Sequence, residues 1–201
     1  MKSLLRAAFA GTLVLALPAT ALAKPALSVS LLKQDDGAPH AAQPIPPRDD
    51  LPEPDENGIT TINWDHLLPD GEMQRIEELY RAADSIMGMS HFGGQMPQIG
   101  TFNTEAGLIG RTIRMPGFIL PLHYDVGGTV NEFLLVPYFG ACVHTPPPPP
   151  NQIVYVTTEE PVLIESMWDP VWVVGELLAE RNQNGMGDAA YTLVLQSHEP
   201  Y

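Results

Sequence analysis

Residues 108–120 read LIGRTIRMPGFIL, and this stretch indicates a strand-rich fold. Apolar Ile113 and Met115 alternate with polar neighbours, which is the two-residue period of a half-buried strand. Pro116-Gly117 then bends the chain before a second apolar run. From Leu108 to the C-terminus the sequence keeps the pattern of short strands separated by turns.

Four further strands are predicted downstream of this one. They span residues 132–138, 152–157, 170–178 and 190–197, and turn-forming residues separate them. Five strands in roughly 90 residues, closed without a free edge, are typical of a small barrel. We therefore predict a mainly β protein with a five-stranded OB-like barrel at residues 107–201. A small β-sandwich is the alternative.

A helical segment and a glycine-rich loop are predicted for residues 61–106. Apolar side chains recur at helical spacing on one face, and the helix is expected to end near Met87-Gly88. A shorter turn around Trp64 precedes it, so the chain has one or two helices before the barrel. The members of the predicted apolar face are Met73, Ile76, Leu79, Tyr80 and Ala83.

The first 60 residues carry two other patterns. Residues 1–23 combine basic Lys2 and Arg6 with a short apolar run and an Ala-Leu-Ala ending, as in a cleaved signal peptide. Residues 24–60 are rich in proline and acidic side chains, with too little apolar surface to build a core, so a disordered linker is predicted. We expect export to the periplasm with cleavage near Ala23.

The charge excludes some classes of partner. The chain has 10 basic and 24 acidic residues, a net charge of −14. Cleavage of residues 1–23 removes Lys2 and Arg6, which leaves eight basic residues and a net charge of −16. A protein this acidic has no electrostatic footprint for nucleic acid, and anionic membrane surfaces repel it. We predict no nucleic-acid binding and no stable membrane insertion.

Cys142 and His144 are the residues most able to carry chemistry. They precede the proline run at residues 146–150, which forms a stiff extended strut. In an extended chain residues i and i+2 point to the same side, so the thiolate and the imidazole can bind one ion. Zinc or copper suits this ligand pair, and zinc takes about four ligands. Candidates for the others are His123, Asp125, Asp169 and His198.

Two other interpretations of the pair stay open. Cys142 can be a small buried apolar residue while His144 bonds a loop carbonyl. Alternatively, His144 can activate Cys142 as a nucleophile in a thiol-dependent enzyme, although the sequence names neither an orienting residue nor an oxyanion hole. We assign no catalytic and no cofactor-binding residue from the sequence.

Five segments of the chain resemble an uncharacterised bacterial family, domain-of-unknown-function family 3299. The resemblance covers about residues 62–201, and its most distinctive stretch is ACVHTPPPPPNQIVYV, residues 141–156. It implies a periplasmic protein, often encoded near ABC-transporter components and in some bacteria within zinc-responsive gene clusters. The segments are 64–69, 116–122, 132–156, 169–175 and 199–201.

These observations lead to one functional interpretation with two alternatives. The chain is read as a non-enzymatic periplasmic accessory protein of an envelope transport system. It would bind an envelope partner, such as an ABC-transporter component, together with zinc or copper. The alternatives are a thiol-dependent enzyme that uses Cys142, and a metal-free structural adaptor that presents the proline strut as its recognition face.

Overall fold

The computed structural model describes residues 47–87, 97–125, 127–142, 146–164 and 166–201. These residues form six strands and one α-helix, together with three short 3₁₀ turns at residues 64–67, 106–108 and 150–152. The helix α1 spans Glu72–Met87. The strands are β1 (Thr60–Thr61), β2 (Thr112–Pro121), β3 (Thr129–Val136), β4 (Val154–Leu163), β5 (Val171–Leu178) and β6 (Tyr191–Pro200).

Strands β2 to β6 form the closed five-stranded barrel, and β1 adds a short sixth strand. The order is β1-β2-β3-β4-β6-β5, and β5 pairs back onto β2 to close the ring. The β4–β6 and β1–β2 pairs are parallel, whereas the other pairs are antiparallel. The predicted fold class, mainly β with a small five-stranded barrel and an N-terminal helix, is confirmed.

The bend in β2 allows the ring to close. β2 pairs with β5 through Thr112–Gly117 and with β3 through Phe118–Pro121. Gly117 lies at the change of partner, where a Cβ atom would come within 2.6 Å of the Leu135 side chain. A glycine is therefore required there for close packing.

The interior of the barrel is filled by side chains. Burial along β2 alternates strictly, and Ile113 and Met115 point inward as their spacing predicts. They pack with side chains from the other four barrel strands, including Phe133 and Leu193. The barrel is therefore a packed core, and binding surfaces must lie on its exterior.

Residues 47–59 belong to the folded domain, which corrects the predicted linker of residues 24–60. The Arg48 guanidinium donates to the carbonyl oxygens of Asp65 (2.9 Å) and Leu68 (3.1 Å). Leu51 packs against the barrel core, and β1 adds to the edge of β2. In this segment, the hydrogen bonds of Arg48 and the packing of Leu51 outweigh the disorder that its proline-rich, acidic composition predicts. Residues 1–46, including the predicted signal peptide, lie outside the described part of the chain.

Helix α1 extends to Met87 as predicted, but its buried face is narrower than expected. Ile76 is buried, whereas Met73 and Leu79 are exposed. Glu72 lies on the buried side, one turn before Ile76, and a polar network holds it there. Residues 88–96, where the sequence predicts part of a glycine-rich loop, lie outside the described residues. No helix in the described ranges is long and apolar enough to span a bilayer.

Candidate functional site

The proline run is an internal brace of the domain. Pro148 and Pro150 are buried, and the Gln98 amide nitrogen donates to the Pro148 carbonyl at 2.8 Å. The Ala190 N–H donates to the Pro150 carbonyl, also at 2.8 Å. Prolines lack a donor, but their carbonyls still need partners when buried. The side-chain amide and the strand backbone provide those partners on either side of the strut.

A buried polar network ties the end of this brace to helix α1. The Glu72 carboxylate is 1% exposed and accepts hydrogen bonds from Thr101 Oγ1 and from Asn103 Nδ2 (2.9 Å). Asn151 Nδ2 donates to the same carboxylate at 3.3 Å, and Arg75 lies 3.5 Å away at its solvent side. Because both carboxylate oxygens already have donors, this cluster stabilises the fold and does not offer an open binding site.

Cys142 lies at the other end of the brace, in left-handed backbone with φ of 66°. Its side chain packs with Ile153 and Ala189 in an apolar cluster outside the barrel. Burial raises the pKa of the Cys142 thiol to about 11. At neutral pH the thiol is therefore protonated, whereas an activated nucleophile has a lowered pKa. His144 lies outside the described residues, so its predicted pairing with Cys142 is not described.

The other proposed metal ligands are spread over the surface. His123 and Asp125 are exposed in the loop after β2, and Asp169 is exposed just before β5. His198 is exposed on β6, seven residues beyond Tyr191, which pairs with Val154 near Cys142. At about 3.3 Å per residue, seven residues of strand correspond to roughly 23 Å. Among the described residues, no three His, Cys, Asp or Glu side chains lie close enough to share a metal ion.

An apolar groove of about 180 Å³ lies on the exterior of the barrel. Its floor is the outer face of β2 and β3, and two loops form its walls, one after β3 and one before β5. Phe139 stacks on Trp168 with ring centroids 4.5 Å apart, and Phe118 meets Phe139 edge to face at 6.2 Å. The lining residues are Phe118, Ile119, Leu120, Val136, Phe139, Gly140, Ala141, Met167 and Trp168.

The groove exposes large apolar side chains to solvent. Trp168 is 69% exposed, and Phe139 and Met167 are each more than 40% exposed. The Tyr124 hydroxyl lies 3.0 Å from the Met167 sulfur and braces the outer wall. Contiguous exposed apolar patches on soluble proteins mark interaction surfaces. We therefore take this aromatic groove as the candidate functional site.

Residue spacing does not reveal the groove directly, although strand β3 carries a signal for it. The run Phe133–Val136 is apolar at every position, so both faces of β3 are apolar. A strand with two apolar faces must be covered on both. Inside the barrel the core covers one face. Outside it, the loop at residues 137–142 covers the other face only in part, and the uncovered remainder is the groove.

The comparisons with known proteins concern family and fold. The family model described as "Protein of unknown function (DUF3299)" matches residues 64–200. A crystal structure of a DUF3299 family protein from Pseudomonas aeruginosa PAO1 is 33% identical to this chain. That match has a TM-score of 0.53 and covers 70% of this chain and 95% of the solved one. None of the curated proteins matches the sequence. The predicted resemblance is confirmed, and the chain belongs to the DUF3299 family.

Proposed function

We propose that this protein is a non-enzymatic accessory factor of an envelope transport system, exported to the periplasm, which binds a partner protein in the aromatic groove. The observation that carries the proposal is the stacked pair of Phe139 and Trp168 on an exposed apolar floor. Aromatic side chains at the centre of an interface contribute most of the binding free energy in many complexes.

The energetics of the groove favour association. Full burial of one large apolar side chain contributes about 1.5–3 kcal/mol. Phe139 and Trp168 stack on each other, and a stacked pair of rings loses less rotamer entropy than two free rings when a partner covers them. The groove therefore offers a preorganised anchor, which is what a recognition surface requires.

The chemistry of the lining supports binding rather than turnover. All nine lining residues are apolar or glycine. An active site combines an apolar pocket with convergent polar or titratable groups that move protons or stabilise charge. The lining residues that the structure describes supply none, and the raised pKa of the neighbouring Cys142 disfavours thiol catalysis.

Photo-crosslinking in living cells tests this function. A benzoylphenylalanine at position 139 is expected to crosslink to a component of an envelope transport system, identified by mass spectrometry. The same probe at Met73, an exposed apolar residue of α1 outside the groove, is the control and is expected to give no such adduct.

The purified component then allows a quantitative check. The Phe139→Ala/Trp168→Ala variant is expected to bind it at least about tenfold more weakly than wild type, while Met73→Ala/Leu79→Ala binds as wild type does. Equal binding by both double variants, or crosslinks only from position 73, would show that the groove is not the binding surface.

A further inference from the structure

Two exposed acidic residues directly follow, along the chain, residues that form or brace the wall of the aromatic groove. Asp169 follows Trp168 directly and is exposed. Asp125 is exposed one residue after Tyr124, whose hydroxyl braces Met167 in the groove wall. Neither carboxylate takes part in an ion pair within the described ranges. We call these two carboxylates the acidic rim: the Asp125 carboxylate accepts a hydrogen bond from Asn131 Nδ2 at 3.0 Å, and no cation of the described residues pairs with either one.

Among the described residues, none of those that line the groove is positively charged. Residues 107–201 contain ten acidic residues and only three arginines. Arg114 is paired with Glu199 at 2.8 Å and lies over the Trp172 ring, while Arg181 lies over Phe102. The third, Arg111, precedes the start of β2, at the end of the strand away from Phe118. Within the part of the chain that the structure describes, no arginine lines the groove.

We infer that the groove binds a polypeptide segment with a large apolar anchor residue flanked by lysine or arginine. This inference rests on the proposed function and specifies the chemistry of the partner. The apolar lining selects the anchor, and the acidic rim selects the flanking charges by electrostatic complementarity. An anionic lipid or a second copy of this chain, with its net charge of −14, would place negative charge against the same rim.

Two fluorescein-labelled octapeptides serve as probes. One is Gly-Lys-Lys-Phe-Leu-Lys-Lys-Gly, and the other has glutamate at each lysine position. Fluorescence anisotropy with the full exported chain is expected to show at least about tenfold tighter binding of the basic peptide. Trp168→Ala should lose most of that binding. The affinity should fall as salt rises from about 50 to 300 mM, because the rim is solvent-exposed and screened.

Matched charge variants separate a local effect from the overall charge. Asp125→Asn/Asp169→Asn is expected to bind the basic peptide about threefold to tenfold more weakly, with a smaller salt dependence. Glu77→Gln/Glu78→Gln makes the same change in net charge on the exposed face of α1 and should bind as wild type does. Equal loss in the two variants would mean that net charge alone attracts the peptide, which overturns the inference.

Other outcomes also decide the matter. Equal affinity for the two peptides, or no binding of the basic peptide at about 1 mM, overturns the inference. Binding to phosphatidylglycerol vesicles, or dimerisation in sedimentation, that depends on Trp168 would assign the groove to a different occupant. If position 139 crosslinks to an envelope component but the two peptides bind equally, the proposed function stands and the inference about the basic segment is wrong. If the crosslinking and the peptide experiments both fail, the proposed function and the inference are both wrong.

Discussion

Cys142 combines three properties that constrain its chemistry. Its backbone is left-handed, its side chain packs among apolar neighbours, and burial raises the pKa of its thiol to about 11. A non-glycine residue in this conformation costs roughly 1–2 kcal/mol, so the surrounding structure must hold it in place. The position is built for a fixed geometry, which suits a metal ligand or a packed thiol better than a mobile nucleophile.

At the residue scale we predict that Cys142 and His144 contribute to a zinc or copper site. Calorimetry with Zn(II) and with Cu(I) is expected to show about one ion bound to wild type and most affinity lost in Cys142→Ser and His144→Ala. Because metal must displace the thiol proton, and burial raises the pKa of that thiol to about 11, affinity should rise steadily as pH increases from 6 towards 9.

If Cys142 is a packing residue and not a metal ligand, the same measurements give a different result. If wild type binds no ion, or if both variants bind as well as wild type but unfold more easily, Cys142 is a packing residue. The control is Ser166→Ala, a change on the other side of the groove that removes no candidate ligand. It should leave metal affinity unchanged.

At the scale of elements, the proline strut depends on the loop that packs against it. Gly100 has φ of 154°, and a Cβ atom there would lie 2.6 Å from Pro149 Cβ and 2.8 Å from Pro150 Cδ. The strut cannot move away easily, because both of its buried carbonyls are hydrogen-bonded. The Gln98 side chain donates to the Pro148 carbonyl, and the Ala190 N–H donates to the Pro150 carbonyl. Gly100 is therefore needed both because a side chain would collide with the prolines and because its φ is positive.

Gly100→Ala is expected to lower the free energy of unfolding by about 2–4 kcal/mol, measured by urea denaturation. Gly110→Ala is the matched control. Gly110 also has positive φ, 77°, but a Cβ atom there would meet nothing within 4 Å. Its expected cost is about 1 kcal/mol from the backbone alone. Equal costs for the two substitutions would show that the strut is not rigid.

The elements themselves were largely predictable, since each barrel strand has the two-residue period or a continuous apolar run. β2 alternates strictly, and all five barrel strands were expected close to where they lie. Helix α1 was placed correctly, but its buried face was not, because burial of Glu72 depends on Thr101, Asn103 and Asn151. Such long-range donors leave no periodic signal in the sequence.

The candidate site was harder to predict for a related reason. The groove is made by Trp168 and Phe139, which are 29 residues apart and meet only after the barrel closes. Sequence spacing favoured Cys142 and His144 because proximity along the chain is the only proximity that a sequence shows. A site assembled from separate loops requires the three-dimensional fold.

For the molecule as a whole, the N-terminal boundary of the folded domain is where the structure differs most from the sequence-based prediction. Proline and acidic residues in 47–59 indicate a linker, yet this segment makes specific contacts. The Arg48 backbone N–H donates to Glu105 Oε1 at 3.2 Å, and Glu105 is fully buried. Its other carboxylate oxygen is buried without a hydrogen-bond partner in the described structure. Any further loss of donors to this carboxylate is therefore costly.

A fragment of residues 59–201 is expected to be less stable than one of residues 47–201. The shorter fragment lacks Arg48, which donates to Glu105 and to two backbone carbonyls, and Leu51, which packs on the core. We expect a loss of about 3 kcal/mol, which lowers Tm by roughly 6–12 °C in a domain of this size. Calorimetry of both fragments at the same concentration measures the difference.

An Arg48→Ala change in residues 47–201 separates the arginine from the rest of the segment. It removes the guanidinium contacts with Asp65 and Leu68 but keeps the backbone N–H to Glu105 and the packing of Leu51. Its Tm should lie between those of the two fragments, because the backbone N–H of residue 48 still donates to Glu105 Oε1. If both fragments melt at the same temperature, residues 47–58 do not stabilise the barrel, and the linker predicted from composition would extend to residue 58.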